Sequence, residues 1–344
     1  MIPVEVVSAY GLEGASFEPI DVGLINRTFR VDRDGAPWLA VQELHPVFRG
    51  EVNLDLDAVS GHIAAKGLPT PRLHRTLDGA AWVSFEGRPW RALTWLPGRV
   101  HTVLDTPAKA QAAGRLVGRF HRAVADLEHS FAFVREGAHD TQRHLKRLAS
   151  ALDGGSPEIR ALGEKILGHA LPEVPNLPTR IIHGDLKVTN LLFDDAGTDA
   201  IALLDLDTLA HGTLAVELGD ALRSWCNPAG ESAASVVDEG IFRAAILGYA
   251  EAEVSLAPEE IEGIVPGLET IALELASRFC LDAIEDRYFG WDPARFPSRV
   301  AHNLRRAEAQ FALAGSVAVR RGSLEAATRA AFRGVRPRSP RAEA

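Results

Sequence analysis

The amino-acid sequence predicts an α+β fold of two lobes, a small β-rich one followed by a larger α-rich one. Three observations predict it. Short runs rich in β-branched and aromatic residues, punctuated by turn residues, fill most of the first hundred positions. Leu96-Pro97-Gly98 then marks a change of style. Beyond Asp105 apolar residues recur at spacings of three and four, the period of amphipathic helices. At 344 residues the chain exceeds one small core and suits two lobes. The expected division is 1–97 for a nucleotide-binding lobe, 98–316 for a catalytic and substrate-binding lobe, and 317–344 for a disordered basic tail.

The elements follow in order. Residues 28–32 read as a strand, Arg33-Asp34-Gly35 as a turn, and 38–43 as the returning strand of a hairpin. A helix is expected over 51–66, stopped by Gly67 and Pro69. Strands return at 72–77 and 81–85, joined across Asp78-Gly79, and again at 90–95. Thr106 is placed to cap the next helix and Pro107 to open its first turn. Ala110, Ala113, Leu116, Val117, Phe120, Val124 and Leu127 form its apolar face. Further helices are expected at 141–152, 156–169, 216–226, 236–253, 258–287 with a break at Pro266-Gly267, and 298–316. The segment after Ser316 is Arg- and Ala-rich, which reads as a frayed end.

One segment carries most of the chemistry: His183-Gly-Asp185-Leu-Lys187-Val-Thr-Asn190, followed by Asp205 in Leu-Leu-Asp-Leu-Asp. Apolar runs at 181–182, 191–193 and 201–204 frame it as short buried strands, which hold polar groups rigidly at their ends. A carboxylate, Asp185, suits orienting an acceptor hydroxyl and taking its proton. An amide oxygen, Asn190, and a second carboxylate, Asp205, suit Mg²⁺ bridging nucleotide phosphates. A lone Asp-x-Asp is usually a solvated turn; three apolar strands around this one argue otherwise. The pattern is that of the catalytic loop and metal strand of a protein-kinase-like two-lobed fold using ATP and Mg²⁺.

Composition narrows the partners. Apolar residues make up 46% and charged residues 24%, an ordinary globular balance. A net charge of −9 argues against generic nucleic-acid binding and against an anionic membrane surface. The start lacks a basic segment with a long apolar run, and no apolar stretch approaches ~20 residues. The expected location is the cytoplasm. Cys226 and Cys280 are expected as reduced thiols, since two cysteines alone do not make a structural zinc site.

The chain resembles the aminoglycoside phosphotransferase-like kinases, which include choline, homoserine and methylthioribose kinases. Over roughly residues 16–315 it is most similar to the N-acetylhexosamine 1-kinase group. The loop Gly23-Leu-Ile-Asn26-Arg-Thr28-Phe-Arg-Val31 resembles that group's nucleotide loop, and Asp205-Leu-Asp207-Thr208 its metal strand. Glu217-Leu-Gly-Asp220-Ala-Leu-Arg223 resembles the following helix. Arg278-Phe-x-x-Asp282, Asp286-x-Tyr288-Phe289, Asn303-Leu-Arg305-Arg306 and Gln310 resemble its C-terminal signature, and His139-Asp140-Thr141 has a counterpart there.

The resemblance implies Asp185 as catalytic carboxylate, Asn190 and Asp205 as Mg²⁺ ligands, and Arg278 and Tyr288 as sugar contacts. Read alone, Arg278 is a helix-surface ion-pair residue. The reading places ATP between the lobes, with Gly23, Asn26, Thr28 and Gln42 near the phosphates and the strand end at Thr94 and Leu96 on adenine. Gln42 departs from the lysine that most kinase-like folds carry on this strand; Lys187 is then either the replacement cation or a solvent-facing loop residue. Ser224 departs where the hexosamine kinases carry an aromatic ring, with Trp225 as a substitute. His183 is expected to brace the loop. Asp220 is expected to be structural, bracing the same loop, and Asp207 to touch metal, substrate or backbone amides. The expected function is phosphorylation of the anomeric hydroxyl of a hexose or N-acetylhexosamine. Kinases for an aminoglycoside, choline or homoserine, and a silent pseudokinase, are the alternatives.

Overall fold

The computed structural model describes residues 1–20, 26–233 and 236–334. The N-terminal region is built on an antiparallel sheet of β1 (Ser16–Ile20), β2 (Arg27–Arg33), β3 (Ala36–Glu43), β4 (Leu73–His74), β5 (Val83–Phe85) and β6 (Arg88–Thr94). Its order is β1-β2-β3-β6-β4, with β5 also pairing β6. The β2–β3 turn places Asp34 and Gly35 at φ 54° and 79°, the left-handed pair that matches strand twist in a tight hairpin. Alternate residues Phe29 and Val31, Leu39 and Val41, and Trp90 and Ala92 bury one face of the sheet. That face is closed by Val6, Tyr10 and Leu12, from and just after the short helix α1 (Val4–Ala9). Leu56, Val59 and Ile63 of α2 (Val52–Ala65) join the main core of the chain instead.

The remainder is mostly helical: α3 (Pro107–Val124), α4 (Thr141–Ala151), α5 (Pro157–Leu167), α6 (Leu214–Trp225), α7 (Glu239–Glu251), α8 (Pro258–Glu262), α9 (Ile264–Glu285) and α10 (Arg299–Gly334). α9 is its axle, packed by α4, α5, α6 and α10. α3 and α7 meet backbone to backbone. A Cβ at Gly114 would lie 2.0 Å from the Ala245 carbonyl, and one at Gly248 would lie 1.9 Å from that of Gln111. Two small antiparallel ladders hold the polar loop between them. One joins β7 (Arg99–Val100), β9 (Leu191–Phe193) and β10 (Ala200–Leu203); the other joins β8 (Thr179–Ile182) and β11 (Ala210–Thr213).

The α+β two-lobed class expected from the sequence is the class observed, and Thr106 does cap α3 through the Lys109 N–H. Several expectations change. β4 and β5 flank the Asp78-Gly79 turn without pairing to each other, because β6 takes both. The break near 258–287 falls at Gly263, and Pro266 sits in the first turn of α9, where a missing N–H has no partner to lose. α1, β1 and β11 were not anticipated from the pattern. The basic segment is not frayed from 317: α10 continues to Gly334 with Val317, Leu324 and Ala327 buried. Alanine favours the helix, and Arg321 is held by Glu269 at 2.6 Å. Cys226 and Cys280 are buried free thiols. Among the described residues no helix is long and apolar enough to cross a membrane.

Candidate active site

The polar loop leaves β8 at Ile182 and is held from below by α6. Glu217, in the first turn of α6, accepts the N–H groups of His183 at 2.8 Å and Gly184 at 2.9 Å. Burial pushes the Glu217 carboxyl up, but its hydrogen bond to His121 and the charges nearby outweigh that and hold it below the usual range. At the far end of α6, Ser224 Oγ accepts the Val188 N–H at 3.1 Å and Trp225 Nε1 donates to the Leu186 carbonyl at 2.8 Å. His183 braces the loop as expected, through Nε2 to the Leu204 carbonyl at 2.8 Å. Gly184 has φ +78°, and a Cβ there would lie 2.6 Å from the Thr208 carbonyl. Only glycine fits this position.

The loop presents three functional groups, and Asp205, just beyond β10, lies within electrostatic reach of two of them. Lys187 Nζ donates to Asp185 Oδ2 at 2.5 Å, and Asn190 Nδ2 donates to the Asp185 carbonyl at 2.8 Å and to Oδ2 at 3.2 Å. Burial raises the Asp185 carboxyl, yet the Lys187 ammonium more than offsets it, so Asp185 is ionised below the usual range. Asp205 has left-handed backbone at φ 60° and ψ 60°, uncommon for a residue with a side chain. Burial first, then the neighbouring Asp207, raises its carboxyl to about 6 against the pull of Lys187. An under-compensated carboxylate beside an amide oxygen is a donor set that fits Mg²⁺. Among the described residues no group of three or more His, Cys, Asp or Glu could hold a metal by itself. Two protein oxygens suffice where phosphates and water supply the rest.

On the sheet side, Gly23 lies outside the described residues. Gln42 is committed internally: Nε2 donates to Thr28 Oγ1 at 3.0 Å and Oε1 accepts from Arg91 Nε at 2.8 Å. Both ends of the amide that the sequence offered to a phosphate are thereby engaged. Arg91, which sequence reasoning missed, is the buried cation of this region. Its guanidinium pairs bidentately with Asp207, with Nη2 at 3.0 Å from Oδ2. Asn26 Nδ2 joins the same carboxylate at 2.7 Å while its Oδ1 accepts the His45 N–H. Asp207 therefore ties the two regions together through its side chain. At the strand end, the Thr94 N–H is taken by the Arg72 carbonyl at 2.8 Å, and Leu96 has no hydrogen bond among the described residues.

Arg278 and Tyr288 come together on a third side. Both line a cavity of about 350 Å³ that also takes in Arg135, His144, Asp282 and Phe289. Asp185 is not among its lining residues. The Arg278 guanidinium lies 5.6 Å from the Phe289 ring centre and 3.7 Å from Glu274. Glu274 is independently held by Thr141 Oγ1 at 2.6 Å and His139 Nδ1 at 3.3 Å. Tyr288 is half exposed, and its hydroxyl accepts from Arg135. Asp282 shapes this wall. It accepts the N–H groups of Arg287, Tyr288 and Phe289 and the Asn303 side chain at 2.7 Å.

Two expectations on α6 are corrected. Glu217, not Asp220, braces the polar loop. Trp225 cannot replace an aromatic ring against a sugar, because it is 2% exposed and its indole N–H is used beneath the loop.

The profile of the phosphotransferase enzyme family matches residues 16–253, and the chain belongs to that family. It is a small-molecule kinase, a phosphotransferase with a hydroxyl acceptor. A homoserine kinase of Methylobacillus flagellatus is 27% identical over 293 residues, covering 82% of this chain and 86% of that protein. A homoserine kinase of Pseudomonas aeruginosa is 30% identical over 191 residues, covering 54% and 56%. An aminoglycoside phosphotransferase of Alicyclobacillus acidocaldarius has the same fold, with a TM-score of 0.60 at 16% identity over 97% of each chain. An amicoumacin kinase in complex with AMP-PNP, Ca²⁺ and its ligand gives 0.59 at 14% identity, covering 89% of this chain and 91% of that one. These relatives carry the names homoserine kinase, aminoglycoside phosphotransferase and amicoumacin kinase rather than N-acetylhexosamine 1-kinase.

Proposed function

We propose that this kinase uses ATP with Mg²⁺ to phosphorylate the anomeric hydroxyl of a hexose or an N-acetylhexosamine. The observation that carries the phosphotransfer reading is the Asp185 carboxylate, ionised and held between Lys187 and Asn190 on a loop clamped at both ends by α6. A carboxylate placed this way aligns a hydroxyl for in-line attack and receives its proton late in a loose transition state. The anomeric hydroxyl, the most acidic on a sugar, suits so weak a base. Lys187 meets the charge that develops on the transferred group, the role that Gln42 and the fully engaged Arg91 do not fill. Asn190 and Asp205 would hold Mg²⁺, which when bound neutralises phosphate charge. Adenine is placed at the strand end near Leu96, with Asn26 and Thr28 toward the phosphates.

Arg278 and Tyr288 support a sugar acceptor. A planar set of donors and a ring with one hydroxyl match a flat polyol. The names of the sequence relatives favour a second reading, in which the acceptor is the primary hydroxyl of homoserine. ADP release measured across free sugars, homoserine, choline and aminoglycosides separates the two. For a sugar 1-phosphate, the anomeric proton of the product gains a phosphorus coupling in proton NMR. Phosphate on homoserine, with no sugar turned over, would replace the first reading by the second.

A further inference from the structure

Asp220 has no part in the machinery described so far, and its chemistry is incomplete. It sits on α6 with 4% of its surface exposed. Arg223 donates from both Nε, at 3.0 Å, and Nη2, at 2.8 Å, but both bonds go to Oδ1. Oδ2 is buried and has no hydrogen-bond partner among the described residues. A buried carboxylate oxygen without a donor is costly, and such gaps commonly mark a place that a ligand completes.

Its position says which ligand. Glu217 and Ser224 hold the two ends of the catalytic loop from one face of α6, and Asp220 lies between them, one turn from each. Lys187, Arg223 and Arg278 each lie within electrostatic reach of both Asp185 and Asp220. The two carboxylates therefore share the same three cationic neighbours. Arg223 already pairs with Asp220, and Lys187 and Arg278 lie within its electrostatic reach, so an ammonium would add like charge there, whereas a hydroxyl donates without adding any.

We infer that Asp220 is a specificity-determining contact, its Oδ2 accepting a hydrogen bond from a second hydroxyl of the acceptor. The inference rests on the sugar reading and deepens it: the acceptor is a polyol whose second hydroxyl lies near the one phosphorylated. Homoserine, whose other donor is an ammonium, does not meet this requirement, and choline has no second donor.

Monodeoxy analogues of the best hexose test it on the unaltered enzyme. One position should lose about 10- to 100-fold in kcat/KM, the scale of a hydrogen bond to a charged acceptor. In Asp220→Asn the acceptor KM should rise by a similar factor, more than kcat falls, with MgATP affinity unchanged by calorimetry. The deoxy penalty at that one position should vanish in this variant. Should Asp220→Asn fail to fold, a deoxy penalty that persists in both Arg278→Ala and Tyr288→Phe supports the contact. A penalty that disappears with those side chains overturns it. An unchanged acceptor KM in folded, active Asp220→Asn overturns the inference and leaves the kinase reading intact. Turnover of homoserine with no sugar accepted overturns both.

Discussion

Arg91→Met should weaken the junction between the sheet and the helical region more than any loss of packing would. The Arg91 and Asp207 side chains are 1% and 0% exposed, so neither charge has water to fall back on. With methionine at 91, Asp207 keeps, among the described residues, the Asn26 amide at 2.7 Å as its one side-chain donor, and Gln42 Oε1 loses its donor. Removing one partner of a buried pair costs about 3–5 kcal/mol, and the orphaned Gln42 oxygen puts this case in the upper part of that range. Asp207→Leu alone should cost a similar amount, because it strands the guanidinium. The double variant, with no buried charge left, should be no less stable than the weaker single. Urea unfolding followed by tryptophan fluorescence reads this directly, since Trp90 is buried next to Arg91 in the sheet and Trp225 is buried in the helical region. Single variants that cost less than about 1 kcal/mol, or a double whose loss equals the sum of the two, would refute the reasoning.

Three further variants bear on the site. Asp185→Asn should lower kcat by about 10² or more with MgATP affinity nearly intact, on the scale of a general-base contribution; near-normal turnover would assign the proton to another group. Asp205→Ala should abolish Mg²⁺-dependent nucleotide binding in titration calorimetry, and unchanged affinity would remove it from the metal site. Arg278→Ala should raise the acceptor KM about 10- to 100-fold and leave the ATP KM alone. The fold should tolerate it, because Glu274 keeps Thr141 and His139; equal effects on both substrates would make Arg278 structural.

The polar loop was legible because its residues are contiguous: eight in a row, framed by apolar strands, carry Asp185, Lys187 and Asn190. The Arg91–Asp207 pair was not, since its members lie 116 positions apart and meet only after two regions fold together. Asp220 was misread for a subtler reason. Glu217 and Asp220 are both acidic and one helical turn apart, and no local signal says which reaches the loop amides. The continuation of the C-terminal helix beyond 316 was missed because charge was read as disorder, although Val317, Leu324 and Ala327 mark a buried stripe.

The Gln42 departure shows how the two kinds of information combine. Position by position, a missing lysine on β3 suggested a phosphate site short of one charge. The register pairs Gln42 directly with Arg91 across β3 and β6, so a cation remains in the sheet one strand over. Yet its donors are engaged with Asp207, Gln42 and Asn53, which leaves it a clamp for the strand end carrying Asp205 rather than a phosphate ligand. Lys187, a third exposed, donates from Nζ to Asp185, lies within electrostatic reach of Asp205, and has no other side-chain hydrogen bond among the described residues. Arg91 thus holds the architecture here, and the phosphate contact is the part we propose for Lys187.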